Sequence, residues 1–234
     1  MGSINSDSGD YANQYSNQIE SVKERFDREY RHESFNLPPE VEAMPLFREW
    51  ISGALGGKIS SHFWDLAQIR KQDRCLDIGC GVSFLIYPWR EWDAFFYGQE
   101  ISVVARDALN SRGSQLNSKL FKGVKLGPAH HLLYEDSMFD RAIATGFSCY
   151  YPLDYWAIVL QEVKRVLKPG GIFVFDLVNP DAEIAENWAI LELYLGVEVF
   201  LHSLDRIADL VQASGGKVTA TRDGELYRMY QVMF

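Results

Sequence analysis

The spacing of apolar positions divides the chain into two regimes. From residue 11 to about residue 34, apolar side chains recur at intervals of three and four, with Tyr15, Ile19, Val22, Phe26 and Tyr30 on one stripe. That periodicity predicts an amphipathic helix. The run Asn36-Leu37-Pro38-Pro39 ends it, because a residue before proline is driven out of the helical region. A second helix is expected from near Glu40, with Leu46, Trp50 and Ile51 inward and Gly53, Gly56 and Gly57 interrupting it. A third, short helix is expected over residues 60–69. Residues 1–10, small and polar, are expected to be disordered.

Past residue 70 the pattern changes to short apolar runs alternating with helical ones. RCLDIGC (74–80), AFFYGQEI (94–101), KLFKGVKL (119–126), FDRAIATG (139–146) and GIFVFDLV (171–178) read as strands. Between them, residues 84–92, 102–112 and 155–167 read as helices, the last ended by Lys168-Pro169-Gly170-Gly171. A further helix is expected over 204–215, then two strands over 217–223 and 226–234 with Gly224 at their turn. Strands alternating with helices imply a parallel sheet covered on both faces. The last two runs, joined by a short turn, should pair antiparallel at the sheet edge. The expected fold is therefore α/β: a seven-stranded, doubly wound, mostly parallel sheet with an antiparallel C-terminal hairpin. A helical extension over residues 1–70 would act as a lid, residues 71–234 would form the main domain, and residues 179–200 would be an inserted second lid.

Composition changes this picture little. The 234 residues are 47% hydrophobic and 24% charged, ordinary for a globular chain. The net charge of −9, with basic residues interspersed among acids, disfavours nucleic acid as a partner. Cys75, Cys80 and Cys149 match no zinc spacing, so no metal is expected and the thiols read as reduced cysteines of a cytoplasmic protein. No secretory leader or membrane-spanning run is legible in these residues.

The chemistry is concentrated in LDIGCG (76–81). A strand ends at Asp77-Ile78, and Gly79-Cys80-Gly81 turns the chain towards a helix. Glycines there let backbone approach a ligand, and the carboxyl edge of an open α/β sheet is where ligands bind. The position that would carry the third glycine of a dinucleotide fingerprint holds Phe84. Asp77, just before the turn, would repel a pyrophosphate and suits a ligand with an ammonium or sulfonium group. Glu100 ends the second strand, where a carboxylate can accept both hydroxyls of a ribose.

LDIGCG, then GQEIS (98–102), FDRAIATG and EVKRVLKPGGIFVFD (162–176), in this order and spacing, resemble the class I, Rossmann-like S-adenosylmethionine-dependent methyltransferases from about residue 74 to residue 234. The resemblance implies S-adenosyl-L-methionine as cofactor and S-adenosyl-L-homocysteine as product. It implies Asp77 near the methionine ammonium, with Gly79, Cys80 and Gly81 forming the loop beneath the methionine and ribose. Glu100 would bind the ribose hydroxyls, Ile101 would pack on the adenine, the Ala129 amide would donate to the adenine ring, and the Thr145 carbonyl would meet the ammonium. Lys168 to Gly171 would form a structural turn. The family's adenine-binding acid is missing: Pro128 stands in its place.

Methyl transfer needs a protein base only when the acceptor must lose a proton. Weak candidates are His130, His131, Tyr150 and Tyr151, with His62 more remote. The acceptor is expected to be a small organic molecule, uncharged or cationic, methylated on nitrogen or oxygen more readily than on carbon. A protein or peptide acceptor, or a module that binds the cofactor without catalysis, are the alternatives. No membrane partner is expected, and oligomeric state is not legible.

Overall fold

A computed structural model describes residues 14–53, 61–82, 87, 89–117 and 119–234. The expected disorder of residues 1–10 lies outside these, as do residues 84–86 and 88 of the predicted helix at 84–92. Helix α1 (Ser16–Tyr30) is followed by two short pieces, α2 (Pro39–Glu42) and α3 (Pro45–Ile51), and by α4 (Ser61–Ala67). The expected single helix after Glu40 is split because Pro45 holds Met44 in an extended conformation, ψ 136°.

The main domain runs β1 (Arg74–Ile78), α5 (Trp89–Trp92), β2 (Phe95–Glu100), α6 (Val103–Asn117), β3 (Phe121–Leu126), β4 (Phe139–Ala144), a 3-10 turn (Ser148–Tyr150) and α7 (Leu153–Val166). It closes with β5 (Leu167–Val178), α8 (Ala185–Leu195), α9 (Leu204–Ala213), β6 (Lys217–Asp223) and β7 (Tyr227–Met233). The sheet order is β3-β2-β1-β4-β5-β7-β6. All neighbours pair parallel except β7, which is antiparallel to β5 and to β6. The hairpin therefore folds back, so that its second strand lies inside the sheet and β6 takes the edge.

One local expectation is corrected. Lys168 to Gly171 do not precede the fifth strand; β5 begins at Leu167, paired with Phe139, and the next registered pair is Ile172 with Arg141. The intervening residues bulge out of the ladder, with Gly170 at φ +77°, and Lys168 ion-pairs with Asp140 at 2.6 Å.

The central strands are buried on both faces, and their side chains alternate between two cores as the pleat requires. Leu76, Ala142, Ala144, Phe173 and Phe175 pack on the face covered by α1, α7 and α8. Cys75, Ile143 and Val174 pack on the other, with Phe63 and Leu66 of α4 and Leu109 of α6. Helix α7 buries Tyr155, Trp156, Val159, Leu160, Val163 and Val166 and carries Lys164 and Arg165 in its last turn, where they meet the negative end of the helix dipole. From β1 the chain winds outward to β2 and β3, then returns to β4 on the other side of β1. The crevice at the carboxyl ends of β1 and β4 is the switch point of the sheet. No described helix is long and apolar enough to cross a membrane.

Candidate functional site

At that switch point lies a cavity of about 200 Å³. Its floor is the strand edge. Asp77, next to last in β1, lies behind the lining residues with 0% exposure, and neither of its carboxylate oxygens has a hydrogen-bond partner. Burial, reinforced by the charge of Glu100, pushes its pKa well above the usual carboxylate range. The Tyr87 hydroxyl favours the ionised form without completing a hydrogen bond to it. An unpaired buried carboxylate is costly, so this one calls for a cationic donor from a ligand.

The loop after β1 leaves room for that ligand. Gly79 and Gly81 sit at φ +65° and +47°, a region that L side chains enter only with strain. A Cβ on Gly79 would lie 3.1 Å from the Phe147 ring, and one on Gly81 would lie 2.6 Å from the Tyr30 hydroxyl. Glu100, at the end of β2, accepts from the amides of Gly81 (2.8 Å) and Ser102 (2.9 Å). Burial raises its pKa, and the amides of Ser102, Gly81 and Ile101 oppose the rise.

Gly79, Cys80, Gly81, Glu100, Ile101, Ala129 and Thr145 line the same cavity, and Asp77 of the predicted set lies behind that lining. The Ala129 and His130 amides lean on the Tyr155 hydroxyl. Where the family's acid is missing, Gln99 does structural work: its Nε2 donates to the carbonyls of Pro128 (2.7 Å) and His131 (2.9 Å), and its Oε1 accepts from the Leu133 amide (2.9 Å). Outside the lining, Asp176 Oδ1 accepts from the amide of the lining residue Gly146 at 2.8 Å, and burial pushes its pKa up to about 7.

The candidate bases separate. Tyr150 and Tyr151 line the cavity, but burial drives both phenols well above their ordinary pKa; they offer ring faces and O–H donors, not a base. His130 is outside the lining, with Nδ1 3.2 Å from the Tyr155 hydroxyl, and burial lowers its pKa. His131 lies on a separate open groove beside Glu162 and Arg165. The side chain of His62 is outside the described residues. Cys149 is buried and its pKa raised, which leaves it no nucleophilic character.

The sequence pointed to residues 1–70 and 179–200 as lids but not to the charged pair that they bring to the cavity. Val22, Arg25, Phe26, Glu29 and Tyr30 of α1 all face the cavity, with Trp50 of α3, Trp188 and Glu192 of α8, and Tyr227 at the start of β7. The α1 positions fall at i, i+3, i+4, i+7 and i+8, one helical face. The overlooked signal was a pair of charged residues on that face. Arg25 is 3% exposed and Glu192 4%, and they form a two-pronged ion pair at 3.0 and 3.2 Å. Glu29 also accepts from Arg25. Lower on α1, Asp27 accepts from the Ser102 hydroxyl, next to Glu100. Helix α1 is thus fastened both to the ribose-side loop and to α8. Among the described residues, no group of three or more His, Cys, Asp or Glu could hold a metal ion.

Comparison with known proteins agrees with this geometry. Residues 76–175 match the family model described as methyltransferase domain. A sterol 4-C-methyltransferase of Caenorhabditis elegans is 28% identical over 153 residues, covering 64% of this chain and 43% of the relative. A 24-methylenesterol C-methyltransferase of Oryza sativa subsp. japonica is 29% identical over 171 residues, covering 68% and 45%. The chain spans less than half the length of these curated relatives. Among solved structures, an S-adenosylmethionine-dependent methyltransferase of Mesorhizobium loti superposes with a TM-score of 0.65 at 15% identity, covering 76% of this chain and 99% of that one. A geranyl diphosphate C-methyltransferase of Streptomyces coelicolor A3(2), solved with Mg2+, geranyl diphosphate and S-adenosyl-L-homocysteine, gives 0.68 at 14% identity, covering 92% and 97%. The fold is that of the class I S-adenosylmethionine-dependent methyltransferases, and residues 76–175 are similar to a methyltransferase domain. The expected preference for nitrogen or oxygen over carbon finds no support, since these relatives are named as C-methyltransferases.

Proposed function

We propose that this chain, a class I methyltransferase domain over residues 76–175, transfers a methyl group from S-adenosylmethionine to a small, largely apolar organic acceptor. The observation that carries the reading is the buried, unpaired Asp77 carboxylate beside Glu100 and a glycine loop that a single Cβ would obstruct. These residues fit the cofactor. Asp77 meets the methionine ammonium, Glu100 accepts from the ribose hydroxyls, and the backbone of 79–81 passes beneath. Ile101 and Ala129 flank the adenine, and the Thr145 carbonyl faces the ammonium. When bound, S-adenosylmethionine supplies an electrophilic methyl group on a sulfonium.

The protein's share of the reaction is alignment and exclusion of water. Helix α1 and α8 close over the cavity and meet at Arg25–Glu192, which supports a small enclosed acceptor over a protein chain. Tyr150 and Tyr151 present ring faces, which suit a developing or bound cation. The relatives' names favour carbon as the methylated atom. Two measurements test the reading. Calorimetry should give binding of S-adenosylhomocysteine that Asp77→Asn and Glu100→Gln each weaken. Incubation of the protein with S-adenosylmethionine and a metabolite extract should yield a species heavier by one methylene. Unchanged affinity in both variants would refute the site.

A further inference from the structure

We infer that the acceptor is a neutral molecule whose hydrocarbon body lies among the aromatic side chains of the roof and whose O–H or N–H donor binds Glu192. This deepens the proposed function and rests on it. The argument starts from a buried arginine on the cavity wall. Among the described residues lining the cavity, Arg25 is the single basic side chain, against the carboxylates of Glu29, Glu100 and Glu192. Alone, a buried guanidinium would read as a receptor for a phosphate or carboxylate. Here Glu192 takes two of its N–H groups and Glu29 a third, and its face is covered by Phe26, with ring centroid 4.7 Å away. An anion would have to break that pair in a buried place and face the expelled carboxylates. A diphosphate, which the Streptomyces neighbour holds with Mg2+, has no second cation here and no described metal cluster to meet it.

The same geometry leaves Glu192 with work to do. A buried ion pair gives a fold little net stability over apolar side chains of the same volume, so its presence on a ligand cavity points to recognition. Each Glu192 oxygen accepts one hydrogen bond from Arg25 and retains a second lone pair. Arg25 fixes the carboxylate through two hydrogen bonds, and the free lone pairs are ready for a donor. The surrounding wall is apolar and flat: Trp188, one turn before Glu192 on α8, and Tyr150, with ring centroids 6.3 Å apart, and Phe26, edge-on to Tyr150 at 5.4 Å. Such a cavity holds a hydrocarbon by its faces and orients it by one polar contact. Arg25 and Glu192 also come from α1 and α8, both outside the matched domain.

Three probes with one hydrocarbon and different heads test this: geraniol, geranyl methyl ether and geranyl diphosphate. Their dissociation constants are read by tryptophan fluorescence with S-adenosylhomocysteine saturating, the diphosphate with and without Mg2+. Geraniol should bind at least about tenfold more tightly than the ether, the size expected for a hydrogen bond to a charged acceptor, and the diphosphate should bind weakest. Glu192→Gln should shrink the preference for geraniol over the ether. If that variant folds poorly, Arg25→Met with Glu192→Met together replaces the pair by apolar volume; it should abolish the preference while S-adenosylhomocysteine affinity stays within about twofold. Tightest binding by the diphosphate, equal or absent binding of geraniol and the ether, or a preference that survives in the double variant would overturn the inference. Loss of S-adenosylhomocysteine binding in the unaltered protein would instead strike the cofactor reading.

Discussion

Replacing Asp77 by Asn should stabilise the ligand-free protein and weaken cofactor binding at the same time. The carboxylate is fully buried, lacks any hydrogen bond and lies within the field of Glu100, so its pKa in the folded protein is raised well above the unfolded value. An acid raised in this way binds more protons folded than unfolded. The ligand-free protein therefore loses stability as pH rises from the ordinary carboxylate range towards the folded pKa. Asn removes that loss, so the thermal midpoint of the variant should exceed that of the parent at pH 8 and match it near pH 4. The ligand reverses the balance. An ammonium needs the ionised carboxylate, so affinity for S-adenosylhomocysteine should rise with pH, by up to tenfold per unit below the free-protein pKa. Binding below the free-protein pKa should release up to one proton. Calorimetry in two buffers of different ionisation enthalpy reads that proton directly. Asn forfeits a charge-assisted hydrogen bond of about 1.5–3 kcal/mol, so affinity should fall roughly ten- to a hundredfold and the proton release should vanish. A variant that is less stable at pH 8 yet binds normally would refute the reasoning.

Four other outcomes are expected. Gly81→Ala should weaken cofactor binding and lower stability by at least the roughly 1–2 kcal/mol of a left-handed alanine, and Tyr30→Phe should recover part of the loss by removing the hydroxyl 2.6 Å from the new Cβ; no recovery in the double variant would contradict the close approach. Arg25→Met alone leaves Glu192 buried without its partner and should cost about 3–5 kcal/mol by chemical denaturation, which the added Glu192→Met should largely restore. Asp176→Asn keeps the acceptor for the Gly146 amide and should flatten the fall in stability of about 4 kcal/mol expected between about pH 4 and pH 7 for a carboxyl raised to about 7; an unchanged pH profile would count against it. His131→Gln, outside the cavity, should leave turnover within about twofold of the parent once an acceptor is in hand, and a loss beyond tenfold would return that histidine to the site.

The elements of this protein were legible wherever a single period decided them. Alternating strands and helices predicted the parallel sheet, and the apolar stripe from Tyr15 to Tyr30 predicted α1. The cofactor side of the site was legible as well, because Asp77, the glycines and Glu100 belong to strand ends and turns whose chemistry is local. Pairing order and the charged pair of the roof were not. The turn at Gly224 leaves open which strand of the hairpin meets β5, and the tertiary pairing decides it, burying most of β7 and leaving β6 largely exposed at the edge. Arg25 and Glu192 lie 167 residues apart, and as isolated residues each reads as a solvated charge. Only the docking of α1 against α8 removes water from both, and burial then turns two ordinary surface charges into a fixed pair on the cavity wall. The histidines fail for the same reason in reverse. Their titratable rings made them candidate bases, but Gln99 binds the carbonyls of Pro128 and His131 and holds that loop, with the His131 side chain on another surface. Strand ends place backbone through local geometry, whereas the direction and dielectric surroundings of a side chain depend on what the rest of the chain packs against it.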